Sequence, residues 1–350
     1  MIRPIGKAIW LTGVLALMLG CEKAEQPSAS RTRQLPDWMV EETAGPDDLP
    51  GDLFRDAPTA KLDLQLKSGD RFPLRKVVRQ ELTQSTLTGT PSVSQSELEV
   101  MFAITVQEVQ AERVKLSVRY DRVRYSHDIA GERVSFDSIS APQEVPVAVR
   151  AYRDMVGDGF SFWLGENNQI ASVEGFTDFL RRCMRNVPEE LRSSVMLGIE
   201  ATSGEDGIAN FVDNSIGLLP PGAARRPGDT WSQPRFVSRP IPMQIENDYT
   251  LKNVTDSEAV VEIRGAISPA NVGSAQSEGV KVRVVGGSTQ GTCTIYRQTG
   301  LPRESHVERV VDMIVTMAPV EFRQQKRIVT TIESFPVVSG GQVMQVGFER

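Results

Sequence analysis

LEVMFAITV, residues 98–106, followed after a polar connection by VKLSVRY, residues 114–120, decides the fold class. Leu98, Val100, Phe102, Ile104 and Val106 alternate with polar or small residues, and Val114, Leu116, Val118 and Tyr120 answer them. A period of two is the mark of half-buried antiparallel strands, so this stretch predicts a long hairpin. Between Tyr120 and Val123 the alternation slips by one residue, at Asp121 and Arg122. A β-bulge accounts for such a slip, and bulges bend sheets, so the sheet is expected to be curved.

Outward from the hairpin the period changes. Around residues 145–219 the spacing predicts a helical insert: Val145, Val149, Tyr152 and Val156 form one stripe beside Pro146, with Gly157 as the stop. Phe176, Phe179, Leu180, Cys183 and Met184 form another stripe, which places Cys183 on a buried face. Between them Phe160, Phe162 and Leu164 lead into Asn167 and Asn168, residue types that tolerate a tight turn. Pro188 opens a further helix, and Ile208, Phe211, Val212 and Ile216 mark a last one.

Residues 220–242 are proline-rich and read as a connection, after which alternation resumes through Tyr249 to Ile263, Val280 to Tyr296, His306 to Met317 and Phe322 to Ile332. Residues 265–279 are expected to form a loop, and Gly286-Gly287 a bulge or corner. The expected fold class is therefore α+β: curved antiparallel sheet in two related β halves, residues 61–219 with the helical insert and residues 243–350, joined by 220–242.

The N-terminus carries an address. Residues 1–20 have a cationic start with Arg3 and Lys7, an apolar core from Ala8 to Leu19, and Gly20 before Cys21, the three parts of an export signal. That core is shorter than the roughly 20 residues needed to span a bilayer. Residues 21–60 form an acidic linker broken by Pro27, Pro36, Pro46, Pro50 and Pro58, with an end-to-end distance on the order of 35 Å as a flexible coil. Its acidic residues lack the spacing of a calcium loop.

Composition narrows the function. Loss of Arg3 and Lys7 with the leader takes the formal net charge from −6 to −8, a balance that argues against nonspecific nucleic-acid binding. With 40% hydrophobic residues the chain can bury a sizeable core. Cys183 and Cys293 either form a disulfide or remain buried thiols. The two histidines, His127 and His306, have no persuasive catalytic company: Asp128 points to the opposite strand face from its neighbour His127. No metal-ligand spacing and no cofactor fingerprint is present, so no cofactor is expected. Phe102, Tyr120, Phe160, Phe162, Phe179 and Phe211 either line a ligand site between sheet and helices or make the core there.

Met18-Leu19-Gly20-Cys21 resembles the bacterial lipobox, which implies a lipid on Cys21 and anchoring to a bacterial membrane on its periplasmic or cell-surface side. Pro227-Gly228-Asp229-Thr230-Trp231 and the later YRQTGLPRES of residues 296–305 resemble motifs of a bacterial lipoprotein family of unknown function. The second segment is also similar to hairpins of half-barrel lipoproteins that carry lipids. Together these features imply a membrane-anchored, non-enzymatic envelope protein. It would act as a binding or carrier module for a hydrophobic small molecule or lipid, or alternatively as a scaffold for an envelope protein partner.

Overall fold

The computed structural model describes residues 59–335 apart from 86–90, 130, 141–143, 166–167, 193–194, 196–211, 213–215, 221, 223, 238–240, 271–274, 278–279 and 318. The chain divides into units Met1–Ala57 and Pro58–Arg350, and all described residues belong to the second. The signal segment, Cys21, most of the acidic linker and Phe211 lie outside the described residues.

The strands in chain order are β1 (Arg71–Gln84), β2 (Ser92–Val109), β3 (Val114–Ile129), β4 (Glu132–Asp137), β5 (Gly159–Leu164), β6 (Ile170–Glu174), β7 (Thr230–Val237), β8 (Met243–Val254), β9 (Glu258–Pro269), β10 (Ala275–Ser277), β11 (Val280–Tyr296), β12 (Pro302–Met317) and β13 (Val320–Ser334). They form one antiparallel sheet in the order β6-β5-β3-β2-β1-β13-β12-β11-β9-β8-β7, with β4 beside β3 and β10 beside β11. The expected α+β class is corrected by this finding: the described chain is mostly strand, in one open curved sheet, and is closer to all-β. Among the described residues, α1 (Val147–Met155) and α2 (Phe176–Cys183) span about two turns each, further helical residues follow at 189–192, 195 and 212, and the segment between α1 and α2 adds β5 and β6 to the sheet. The helical periodicity of the insert is real but short, and the alternating Phe160-Phe162-Leu164 beside it pairs with β3.

The early and late strands are not separate layers. Pairing of β1 with β13, from Leu74 opposite Ser334 to Gln84 opposite Gln324, makes them neighbours in the same sheet. Part of the proline-rich connection is itself a strand, β7, whose Pro234 is accommodated because β7 ends the path of the sheet. An edge position does not require the missing N–H.

The slip at Asp121 is a bulge: Met101 faces Arg122 while Phe102 faces Tyr120, leaving Asp121 unmatched. A second register shift separates Val284 from Gly286 on β11, at the glycine doublet. Residues 265–269, expected in a loop, continue β9. Such irregularities let the sheet curl. Arg235 on β7 lies six strands from Lys76 on β1, about 29 Å along a flat sheet, yet its charge contributes to lowering the Lys76 pKa.

Two apolar clusters occupy the inner face. The larger gathers Phe102, Tyr120, Phe162, Phe179, Trp231 and Tyr249 with Leu218, Leu219 and the helix residues Val149, Met155 and Cys183. The smaller holds Val237, Ile245, Ile267, Val284, Val311 and Met313. The helices serve the first: α1 and α2 pack chiefly on each other, α1 also against β3 and α2 against β5. Helix α2 follows Gly175, which has a left-handed φ of 75°, and buries Phe179, Leu180 and Cys183 along one stripe.

Candidate functional site

Five of the six aromatic residues expected near a ligand are described, and all five are buried in the larger cluster. Tyr120 stacks on Phe179 with ring centroids 5.7 Å apart, Phe160 lies 5.4 Å from Phe179, and Phe102 lies 6.0 Å from Tyr120. Phe162 is fully buried beside them. These rings pack on one another, and burial pushes the Tyr120 phenol far above its ordinary range.

The segment 227–231 is likewise structural. Asp229 accepts a hydrogen bond from the Arg226 backbone N–H (2.8 Å), Gly228 N–H donates to the Leu251 carbonyl (2.7 Å), and Trp231 Nε1 donates to the Leu218 carbonyl (2.8 Å). Trp231 also stacks on Tyr249 at 5.8 Å. The turn thus anchors the edge strand into the core. In the later hairpin, Gly300 has φ 73°, and a Cβ there would run into the Asp63 carbonyl oxygen.

Cys183 and Cys293 are free and buried, one in α2 and the other on β11, which corrects the disulfide alternative. Burial pushes each thiol up to about 12. Such thiols behave as small apolar groups.

The histidines help line one open groove of about 690 Å³, together with Arg79, Glu97, Asp128, Arg133 and Arg327. Its charges are matched across strands: Arg79 with Glu97 at 2.6 Å and Arg133 with Asp128 at 2.7 Å. Arg327 holds Glu308 through two hydrogen bonds of 2.8 and 2.9 Å. His127 Nδ1 lies 3.2 Å from the Tyr125 hydroxyl and His306 Nδ1 lies 3.2 Å from Thr331 Oγ1. Burial lowers the His127 pKa despite Glu132 and Asp128 nearby, which favours the neutral ring. Among the described residues no group of three His, Cys, Asp or Glu is placed to hold a metal ion.

A different arrangement appears on the inner face. Cross-strand register aligns Gln233, Asn247, Gly265, Thr289, Arg309, Ile328, Gln80, Ser96 and His127 in one largely polar row between the two apolar clusters. Asn247 and Thr289 are each 3% exposed. Asn247 Nδ2 donates to the Tyr249 hydroxyl at 3.3 Å, whereas Asn247 Oδ1 and Thr289 Oγ1 have no hydrogen-bond partner. Leaving a buried polar atom unmatched costs about 1–3 kcal/mol, so two in one row call for an explanation. Gly265 between them carries no side chain, and a Cβ there would collide with Asn247 Oδ1.

Charge is partitioned between the faces. On β1, β2, β7–β9 and β11–β13 every described Asp and Glu occupies an outward position, while Lys76, Arg235, Arg309 and Lys326 occupy inward ones. Burial, followed by the Arg235 charge, brings Lys76 down to about 8, and burial also lowers Lys326. Periodicity along single strands does not mark this row. Its trace in the sequence is a polar residue in an inward slot, as in Val307-x-Arg309-x-Val311 and Ile245-x-Asn247-x-Tyr249. Only the register places those slots side by side.

Among solved structures, the chain is similar to a lipovitellin described for its lipid–protein interactions, at 9% identity and a TM-score of 0.39 over 80% of this chain. It spans only 27% of that protein's length. It is similar also to an outer membrane channel from Pseudomonas putida F1, with 8% identity, TM-score 0.16, and 78% and 97% of the two chains covered. A DUF1329 family protein from Desulfovibrio piger has 7% identity and a TM-score of 0.13, with 77% and 87% covered. No curated protein matches the sequence. Residues 111–302, more than half of the chain, match the family of unknown function DUF6263, and the protein belongs to that family.

Proposed function

We propose that this protein is a non-catalytic binding module of the bacterial envelope, held to the membrane by a lipid on Cys21, that shelters an apolar ligand against the inner face of its sheet. The observation that carries this reading is the second apolar cluster of Val237, Ile245, Ile267, Val284, Val311 and Met313. It lies on the inner face beside the buried polar row and apart from the cluster that α1 and α2 serve. Ligand sites commonly combine an apolar lining with a few fixed polar groups, and this face supplies both. The anchor follows from Met18-Leu19-Gly20-Cys21 and the acidic linker behind it. Several acyl chains on one residue would hold the domain stably, since each buried methylene contributes about 0.8 kcal/mol.

The test is native mass spectrometry and solvent extraction of the full chain purified from a bacterial envelope. The expected result is about one amphiphile per chain and a mature N-terminus mass showing acylated Cys21. A chain without extractable lipid that also fails to bind added soluble lipid overturns the binding role. An unmodified Cys21 thiol overturns the anchor.

A further inference from the structure

The edge of the sheet offers a contact of a different kind, apart from the inner face that carries the binding role proposed above and independent of it. We propose that the free edge of β7 at Ser232 and Pro234, with the cleft that lies along it, binds an extended segment of another polypeptide as an added strand.

The backbone phase of β7 fixes what that edge presents. Gly228 N–H donates to the Leu251 carbonyl (2.7 Å) and Leu251 N–H donates to the Asp229 carbonyl (3.0 Å), so the ladder to β8 begins with Asp229 opposite Leu251. Antiparallel pairs alternate between hydrogen-bonded and not, and Thr230 opposite Thr250 and Ser232 opposite Asp248 are therefore pairs whose backbone groups point away from each other. The free edge thus presents the N–H and C=O of Thr230 and Ser232, and the carbonyl alone of Pro234. Among the described residues none hydrogen-bonds to these backbone groups, since β7 ends the path of the sheet.

A cleft of about 830 Å³ lies along the same stretch. Ser232, Gln233 and Pro234 all line it, and successive side chains of a strand point to opposite faces, so the cleft meets β7 at its edge rather than on either face. Its other walls include the turn between β2 and β3, where Val109 is 46% exposed, and the half-buried Leu64 and Val114. Alternating backbone donors and acceptors about 7 Å apart are matched by another extended backbone. The volume selects a single strand: it suits a short peptide, whereas a folded copy of this chain would have to bring the edge of a whole sheet. Pro234 adds to that selection, because its missing N–H cuts the ladder short after Ser232 and blunts long edge-to-edge pairing between copies. The segment that fits alternates, with apolar side chains toward Leu64, Val109 and Val114 and polar ones toward solvent.

The experiment titrates the full chain against a fluorescein-labelled peptide, Lys-Val-Ser-Val-Ser-Val-Lys, read by fluorescence anisotropy, together with two versions N-methylated at either the valine or the serine amides. The plain peptide is expected to bind. Only one set of amides faces β7, so one methylated version, not both, should bind about tenfold more weakly, the equivalent of one backbone hydrogen bond. Ser232→Pro removes the edge N–H inside the cleft without touching the ladder to β8 and should also cost about tenfold. Ser232→Ala keeps that N–H, loses only the side-chain hydrogen bond to Asp248, and should bind like the parent. The methylated peptides leave the protein untouched and decide the matter if the proline variant folds poorly. Equal affinity of all three peptides, or of the parent and a folded Ser232→Pro variant, overturns strand addition. No binding up to about 1 mM peptide overturns the site. A β7–β7 cross-link between two chains in place of peptide binding assigns the edge to a second copy and overturns the peptide assignment.

Discussion

Lys76→Met should stabilise the protein at neutral pH and erase a rise in stability under alkaline conditions. Lys76 is 6% exposed on β1, flanked across the strands by Val100 and Ile332. Burial, then the Arg235 charge, lowers its pKa from 10.5 to about 8. At about 1.4 kcal/mol per pKa unit, holding the ammonium there in the folded state costs roughly 3 kcal/mol below pH 8. Between about pH 8 and 10.5 the unfolded chain binds a proton that the folded chain has released, so stability climbs with pH across that window. Methionine is apolar and of similar length. Allowing for contacts the amine makes, the variant should gain about 1–3 kcal/mol at pH 7. Urea denaturation of both proteins at pH 6.5, 7.5, 9 and 10 measures this, and the difference between them cancels the titration of other lysines and tyrosines. A variant less stable than the parent at pH 7, with an unchanged difference at pH 10, would refute the reasoning that desolvation dominates at this position.

Phe179→Ala should destabilise by about 3–5 kcal/mol, because the ring is fully buried and touches Tyr120, Phe160 and Phe176; a loss under 1 kcal/mol in urea melts would show that the aromatic centre is loosely packed. Gly300→Ala combines a φ of 73° with a clash against the Asp63 carbonyl and should cost about 1–3 kcal/mol, measured as a fall in the denaturation midpoint; an unchanged midpoint would count against the hairpin geometry. Cys183 and Cys293 should resist an aromatic disulfide reagent in the native protein at pH 8 and both react in denaturant, since burial holds each near 12; rapid native reaction of either contradicts its buried placement.

Local features of the chain were legible where one segment sufficed to specify them. The bulge at Asp121 follows from a slip in alternation that needs no partner strand to be noticed. Asn168 adopts a positive φ of 55° in the turn where asparagine was expected to tolerate one, and Gly157 has φ 81° just beyond α1. The stripe through Phe176, Phe179, Leu180 and Cys183 became helix α2 with its apolar face inward. The class assignment erred because the helical stripes expected across residues 145–219 were weighed as an insert of comparable rank to the sheet, whereas the described chain is mostly strand and α1 and α2 span about two turns each. Strand β7 was hidden by Pro234, which is compatible with a strand only at an edge, and edge status is a property of the finished sheet.

The sequence by itself determined the alternation of the long strands, the places where they bend, and the burial of the apolar stripes, because side-chain period is a property of consecutive residues. It also placed acidic side chains and Arg309 in opposite phases along β12, although nothing local marked this as a site. The tertiary structure decided which strands are neighbours. Pairing β1 with β13 joined the early and late strands into one sheet, and the register put Asn247, Gly265, Thr289 and Arg309 in a line. It likewise brought Arg235 within electrostatic reach of Lys76. The physical reason is the range of the interactions: periodicity acts over a few residues, whereas strand pairing and the curl of the sheet join residues more than 150 positions apart in the chain.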